Sequence, residues 1–208
     1  VARKKAAPLE ENAMTVISSA APRRVVGLGG TFRQASSSER IVRAVLAECA
    51  ALGAETVMFD GAALAALPHF NPEGPDRTPE EQALVEAVRS ADGIVIGSPG
   101  YHGGYSGLVK NAIDLLEDLR GDPRVYFDGR PVGLVVTAAG WQACGTTLSA
   151  MRDVVHAMRG WPTPVGVAVN SVEQKPFAPD GTLTDEGIAR AVRAQAEQIM
   201  GFRTEAVA

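Results

Sequence analysis

From Arg24 onward, short apolar runs alternate with longer stretches in which apolar residues return every three or four positions. Five runs, at 25–29, 56–59, 93–97, 132–137 and 165–170, are bounded by Gly, Pro, Asp or Ser, as strands buried on both faces usually are. Between them the spacing predicts helices. Ile41, Val42, Val45, Leu46 and Cys49 form the first stripe, and Leu84, Val85 and Val88 the second. Leu108, Val109, Ala112, Ile113 and Leu116 form the third, and Leu148, Met151, Val154, Val155 and Met158 the fourth. The last holds Ile188, Ala191, Val192 and Ile199. Five strand–helix units in succession predict a parallel sheet, because right-handed crossovers lay helices on both faces. The economical arrangement is an α/β three-layer sandwich with a five-stranded parallel sheet of order 2-1-3-4-5. Ligands of such sheets sit beyond the carboxyl ends of the strands, at the switch point between the first and third.

Composition changes this picture little. The chain has 208 residues and is 46% hydrophobic and 21% charged, which suits one domain with a sizeable core. Residues 23–203 are read as that domain and 1–22, rich in Ala, Pro, Glu and Lys without a period, as a mobile N-terminal tail. Met14 offers an alternative natural start, so residues 1–13 need not be native. The stretch 68–79, rich in proline, reads as a long surface loop. A net charge of −4 argues against a nucleic-acid binder and falls short of a strongly acidic electron carrier. No run is long and apolar enough for a bilayer, and Cys49 and Cys144 have no metal or disulfide spacing, so a cytoplasmic protein is expected.

Three loops at strand ends carry the candidate chemistry. In the first, from Gly29 to Ser38, glycines, hydroxyls and Arg33 precede a helix, whose unpaired amides favour a phosphate. Arg33 would add a charge-assisted contact, and Thr31, Ser36 and Ser38 hydroxyl contacts. The plainer alternative is a serine helix cap beside a solvated arginine. A dinucleotide fingerprint does not fit, since Phe32 stands where its third glycine would be, although Asp60 occupies the place of a ribose-binding acid. In the second, from Ser98 to Gly107, four glycines allow close backbone approach to a flat ligand, and Tyr101 and Tyr105 offer aromatic surface. Ser106 reads as a helix cap and Lys110 with Asp114 as a surface pair. The third loop runs from Thr137 to Gly145.

Residues 98–114 match the pattern S-P-x-Y-x-x-x-x-S-G-x-L-K-N-x-I-D at Ser98, Pro99, Tyr101, Ser106, Gly107, Lys110, Asn111, Ile113 and Asp114, with Val109 in place of the leucine. Gly30, Arg33 and Ser36 match a G-S-x-R-x-x-S phosphate loop, with Thr31 for its first serine. Over about residues 24–170 the chain therefore resembles the NADPH-dependent FMN reductases of the flavodoxin-like superfamily, and residues 67–72 look like that family's loop after the second strand. The resemblance implies FMN and NADPH (or NADH) as cofactors and hydride transfer from nicotinamide to flavin. It implies that Thr31, Arg33, Ser36 and Ser38 hold the FMN phosphate, while Pro99, Gly100, Tyr101, His102 and Gly103 run along the isoalloxazine. The third loop, with Ala139, Gly140 and Trp141, would lie against the flavin's polar edge, where backbone N–H groups could stabilise the reduced anion. Ala139 departs from the usual glycine there. Trp141 could cover the ring, plug a core or meet a subunit. No catalytic side chain and no metal are implied, because the flavin carries the chemistry.

His102 is a weaker candidate for a proton role, Cys144 reads as an ordinary thiol, and Arg120, Arg124 and Arg130 are candidates for the NADPH 2′-phosphate. The resemblance also implies a homodimer or homotetramer, with the third helix and the loop after it as candidate interface. The long helix after the third loop resembles the branch that supplies reduced flavin to a flavin-dependent monooxygenase. The alternatives are an FMN-containing quinone or azo-compound reductase, a metal-oxyanion reductase, or a non-catalytic electron-transfer module.

Overall fold

In the computed structural model, which describes residues 21–74 and 76–203, apolar residues on successive strand positions point to opposite faces and meet two separate sets of helices. The order along the chain begins β1 (Arg24–Gly29), α1 (Ser37–Ala51), β2 (Glu55–Phe59), α2 (Gly61–Ala65) and α3 (Pro79–Arg89). It continues with β3 (Gly93–Tyr101), β4 (Gly104–Tyr105), α4 (Gly107–Asp114), a 3-10 turn (Leu115–Leu119) and β5 (Pro131–Ala138). It ends with α5 (Trp141–Ala157), β6 (Trp161–Pro162), β7 (Val167–Asn170) and α6 (Glu186–Gly201). The expected tail lies outside the described residues except for Ala21 and Pro22.

The central strands run β2-β1-β3-β5, all parallel, with Val26 beside Val57 on one side and Ile94 on the other, and Ile94 beside Val132. The fifth position is shared by two strands: β6 pairs with Pro131–Val132, and β7 with Val135–Ala138. The predicted order therefore holds, with its last strand broken and starting at Val167 rather than at 165. On one face Val25, Val95, Val135 and Val169 pack on α1 and α6. On the other, Val26, Leu28, Ile96, Leu134 and Val136 pack on α3, α4, the 3-10 turn and α5. Each such side chain taken from water contributes about 1.5–3 kcal/mol, so the alternation along the strands holds the three layers together.

The break has an identifiable filler. Gln195, fully buried on α6, donates from Nε2 to Leu134 O (3.0 Å) and Val165 O (2.8 Å), serving carbonyls that a continuous strand would have paired. Gly133 makes the room: a Cβ there would lie 2.9 Å from Gln195 Cδ. The segment expected as one long surface loop ends in a capped helix start. Thr78 Oγ1 accepts from Glu81 N (3.3 Å), Glu81 returns a carboxylate to Thr78 N (2.7 Å), and Pro79 opens α3.

Candidate active site

The carboxyl ends of β1, β3 and β5 open into one cavity of about 940 Å³. Its first wall is the turn from β1 into α1. Ser36 caps α1, its Oγ accepting from Glu39 N (3.4 Å) and lying 3.3 Å from Ser38 Oγ. Both serines are buried, while Arg33 is exposed and its backbone N–H donates to Thr31 Oγ1 (3.0 Å). The amides that open α1 have no intrahelical acceptor, so this end of the cavity carries the partial positive charge of a helix start beside a guanidinium. The turn is pressed against α2. Gly30 has φ +132°, and a Cβ on it would lie 2.5 Å from Gly61 N.

The second wall is the end of β3. Pro99, Gly100 and Tyr101 line it, with Ser106, Gly107 and Leu108 at the start of α4. Buried Ser98 closes this segment on itself, accepting from Ser106 N at Oγ (2.9 Å) and donating to Pro99 O (2.9 Å). Ser106 caps α4 by accepting from Val109 N (3.3 Å), and Lys110 pairs with Asp114 (2.6 Å) on the surface. The third wall is Thr137, Ala138 and Ala139 at the end of β5, joined by Ser171, whose N–H and hydroxyl both donate to Ala138 O (2.9 and 3.2 Å).

Of the residues singled out from sequence, Thr31, Arg33, Ser36, Ser38, Pro99, Gly100, Tyr101 and Ala139 line this cavity. His102, Gly103, Gly140 and Trp141 are not in its wall. His102 and Gly103, with φ of 52° and 82°, form the two-residue turn between β3 and antiparallel β4, a hairpin that the glycines signalled only as a loop. Gly140 caps α5 at φ 121° with no side-chain bond, leaving the amides of the first turn free of intrahelical acceptors. Trp141 stands half exposed and donates from Nε1 to Glu173 (2.8 Å).

The arginine candidates for a nicotinamide phosphate lie elsewhere, at the amino end of the sheet. Arg130 is fully buried and donates to the carbonyls of Ala91 (2.9 Å), Arg89 (2.7 Å) and Tyr126, and burial lowers its pKa to about 10. Arg124 donates to Ala91, Asp128 and Gly129 carbonyls, and exposed Arg120 pairs with Glu117. Arg130 and Arg124 are packing arginines that satisfy chain ends which the sheet leaves unpaired, whereas Arg120 makes a surface pair. Asp60 is likewise occupied: Oδ1 accepts from Ala62 N and Ala63 N to cap α2, and Oδ2 meets Arg43 (2.9 Å). Cys144 is buried, with Sγ on Val169 O (3.3 Å), and burial raises its pKa, as it raises that of Cys49 to about 12. Neither thiol is poised as a nucleophile.

Sequence reasoning passed over Ala65, Leu67 and His69 as parts of the wall. They arrive because Asn111, on α4, reaches across to the loop after α2. Its Oδ1 accepts from Phe70 N (2.8 Å) and its Nδ2 donates to Pro68 O (2.8 Å). Farther along, Arg77 lies over the Phe70 ring and binds Asp118 through two nitrogens (2.8 and 2.9 Å), which holds that carboxyl below the usual carboxylate range. The asparagine of the lysine–asparagine pair was the available signal, since a polar side chain facing a partner loop needs acceptors and donors there.

Among the described residues no group of acidic, histidine and cysteine side chains is placed to hold a metal, and no helix is long and apolar enough to cross a membrane. A family model described as NADPH-dependent FMN reductase matches residues 23–174. An FMN-dependent NADPH-azoreductase of Staphylococcus saprophyticus subsp. saprophyticus is 35% identical over 125 residues, which cover 58% of this chain and 61% of that one. The protein of the same description from Staphylococcus aureus is 33% identical over 123 residues, 57% of this chain and 60% of its own. The chain thus matches about three fifths of the length of these curated relatives. Two solved structures share the fold at 22% identity. The flavoenzyme NAD(P)H:(acceptor) oxidoreductase FerB from Paracoccus denitrificans has a TM-score of 0.68, over 86% of this chain and 96% of that one. An oxidoreductase from Corynebacterium diphtheriae has 0.67, over 88% and 99%. With the match covering all of β1 to β7, this chain belongs to the NADPH-dependent FMN reductase family, on a flavodoxin-like fold.

Proposed function

We propose that the chain binds FMN in this cavity and accepts a hydride for it from NADPH, or from NADH. The observation that carries the reading is the continuity of the cavity from the amide- and hydroxyl-rich start of α1 to the backbone of β3 and the end of β5. A pocket of about 940 Å³ with an anion-seeking end and a flatter, glycine-bearing end suits a mononucleotide with a planar head. In this reading Thr31, Arg33, Ser36 and Ser38 hold the phosphate. Pro99, Gly100 and Tyr101 line the ring, and His102 and Gly103 make the turn that carries Tyr101. The amides opening α5, at Gly140 and Trp141 beside Ala139, are donors for the ring's N1–C2=O edge, where they would stabilise negative charge. When bound, FMN supplies the electron-accepting chemistry, and the residues around it bind, orient and shield.

The similarity to azoreductases favours a second substrate as well, an azo acceptor reduced while the flavin stays in place, with a quinone as the alternative acceptor. A homodimer or homotetramer and a cytoplasmic setting belong to the same reading. Exposed Phe32, Tyr101 and Trp141 are apolar surface that a subunit contact would cover, and the two unpaired, buried thiols suit a reducing compartment. Delivery of reduced flavin to a monooxygenase is the alternative fate of the electrons. The test is NADPH and NADH oxidation with and without added FMN, followed by gel filtration of the loaded protein. Flavin that co-elutes points to acceptor reduction, and flavin that leaves points to a flavin supplier. A protein that takes up no flavin rejects both.

A further inference from the structure

The mechanism proposed above uses no proton donor, yet one is available in the cavity wall. Of the residues lining it, only His69 has a side chain that ordinarily takes up and releases a proton near neutrality. His69 is exposed to solvent, and its imidazole has no partner among the hydrogen bonds of the described residues. Its backbone, by contrast, is clamped. Asn111 bonds the residue before it, through Pro68 O, and the residue after it, through Phe70 N, both at 2.8 Å. The backbone that carries this imidazole is thus anchored in the wall by a side chain of the helix that follows the β3 segment. His102, raised by the sequence as a weaker candidate, sits instead in the β3–β4 turn, and His156 is exposed on α5.

Resting on the proposed oxidoreductase reading, we propose that His69 is the proton donor to the second substrate, an acceptor with an azo N=N or quinoid C=O unit. Two-electron reduction of such a unit consumes one hydride and one proton. The hydride comes from the reduced cofactor, which returns to its oxidised form, and adds to one atom of the double bond or its conjugated system. The proton leaves the His69 imidazolium for the heteroatom on which negative charge develops, and the neutral imidazole recovers a proton from solvent. The charged and titratable groups of the same wall are Arg33 and Tyr101, and α4, whose Asn111 anchors the loop, also carries the Lys110–Asp114 pair. Behind its loop stands Arg77 with Asp118 and Glu81.

The experiment uses FMN-loaded protein and two probes, the azo dye methyl red and p-benzoquinone. Reduction of the bound flavin by NADPH and its reoxidation by each probe are timed separately across pH, in wild type, His69→Asn and His156→Asn. In His69→Asn, reoxidation by the azo dye should slow on the order of 10²-fold, the usual contribution of a positioned proton donor, and lose its fall with rising pH. The loss should be confined to the acceptor step, and His156→Asn should match wild type. A second readout is independent of turnover: the His69 imidazole NMR signal, assigned by its loss in His69→Asn, should shift when the dye is added to oxidised, FMN-loaded protein. Wild-type reoxidation rates and pH profile in His69→Asn would overturn the proposal. So would an equal loss in both half-reactions, which marks a structural role, or an imidazole signal that ignores the dye. Wild-type protein that fails to bind FMN or to be reduced by NADPH rejects the underlying activity, and that result is recognisable before any variant is made.

Discussion

At the scale of single residues, the first loop shows how one motif divides its labour. Thr31, Ser36 and Ser38 were all legible as hydroxyls before a helix, but only the structure separates their work. Ser36 spends an acceptor on Glu39 N, Ser38 is buried against Ser36, and Thr31 props the backbone of Arg33. Arg33 itself has no ion-pair partner among the described residues and stays exposed beside the cavity. Replacing it therefore tests the proposed phosphate contact without opening the core. Arg33→Ala should weaken FMN binding by about 1.5–3 kcal/mol, the worth of a charged hydrogen bond, which is roughly ten- to a hundredfold in Kd. Fluorescence titration of apoprotein with FMN measures it, and an unchanged Kd would remove Arg33 from the phosphate site. His69 could not be found by the same reading. Its place in the wall depends on bonds from Asn111, some forty residues away along the chain, and the asparagine alone does not name the loop it meets.

Whole elements were easier to read where a period repeats. The stripes on α1, α4, α5 and α6 became the buried faces of those helices, because spacing of three and four is itself the geometry of a helix face. Short features escaped. The β3–β4 hairpin has two residues per arm, too few for alternation to register, and its turn is built on backbone with positive φ. The break between β6 and β7 escaped for another reason: its hydrogen bonds come from a glutamine on the last helix. That substitution of a side chain for a strand has a measurable consequence. Gln195→Leu keeps the volume similar but takes the side-chain donor from Leu134 O and leaves Val165 O with the Thr163 hydroxyl alone. At about 1–3 kcal/mol per unsatisfied buried group, the variant should lose stability visibly. The denaturant midpoint should fall while the slope of the transition stays the same, since the surface exposed on unfolding hardly changes. A wild-type midpoint would mean that β6 and β7 can close the gap unaided.

For the molecule as a whole, the order of the parallel strands followed from the succession of five strand–helix units, and the cavity followed from that order, because β1 and β3 are where the crossovers change direction. The location of the site was thus inherent in the topology, whereas its third and fourth edges, at Ser171 and His69, depend on how loops distant in sequence settle over it. This arrangement ties ligand binding to global stability. Residues from the β1–α1 turn, from β3 and α4, and from β5 all line one space, so the cavity exists only when the three central strands are assembled. A ligand that binds only the folded chain stabilises it by about 2.7 kcal/mol at a hundred times its Kd. FMN should therefore raise the midpoint of thermal unfolding progressively with concentration, in a single cooperative transition. Arg33→Ala should need roughly ten- to a hundredfold more FMN for the same rise, in step with its weaker binding. Gln195→Leu should start lower yet gain the same increment, because the carbonyls it serves, at Leu134 and Val165, are not among the residues that line the cavity. An FMN-independent midpoint in the wild-type chain would break the link between this cavity and the cofactor.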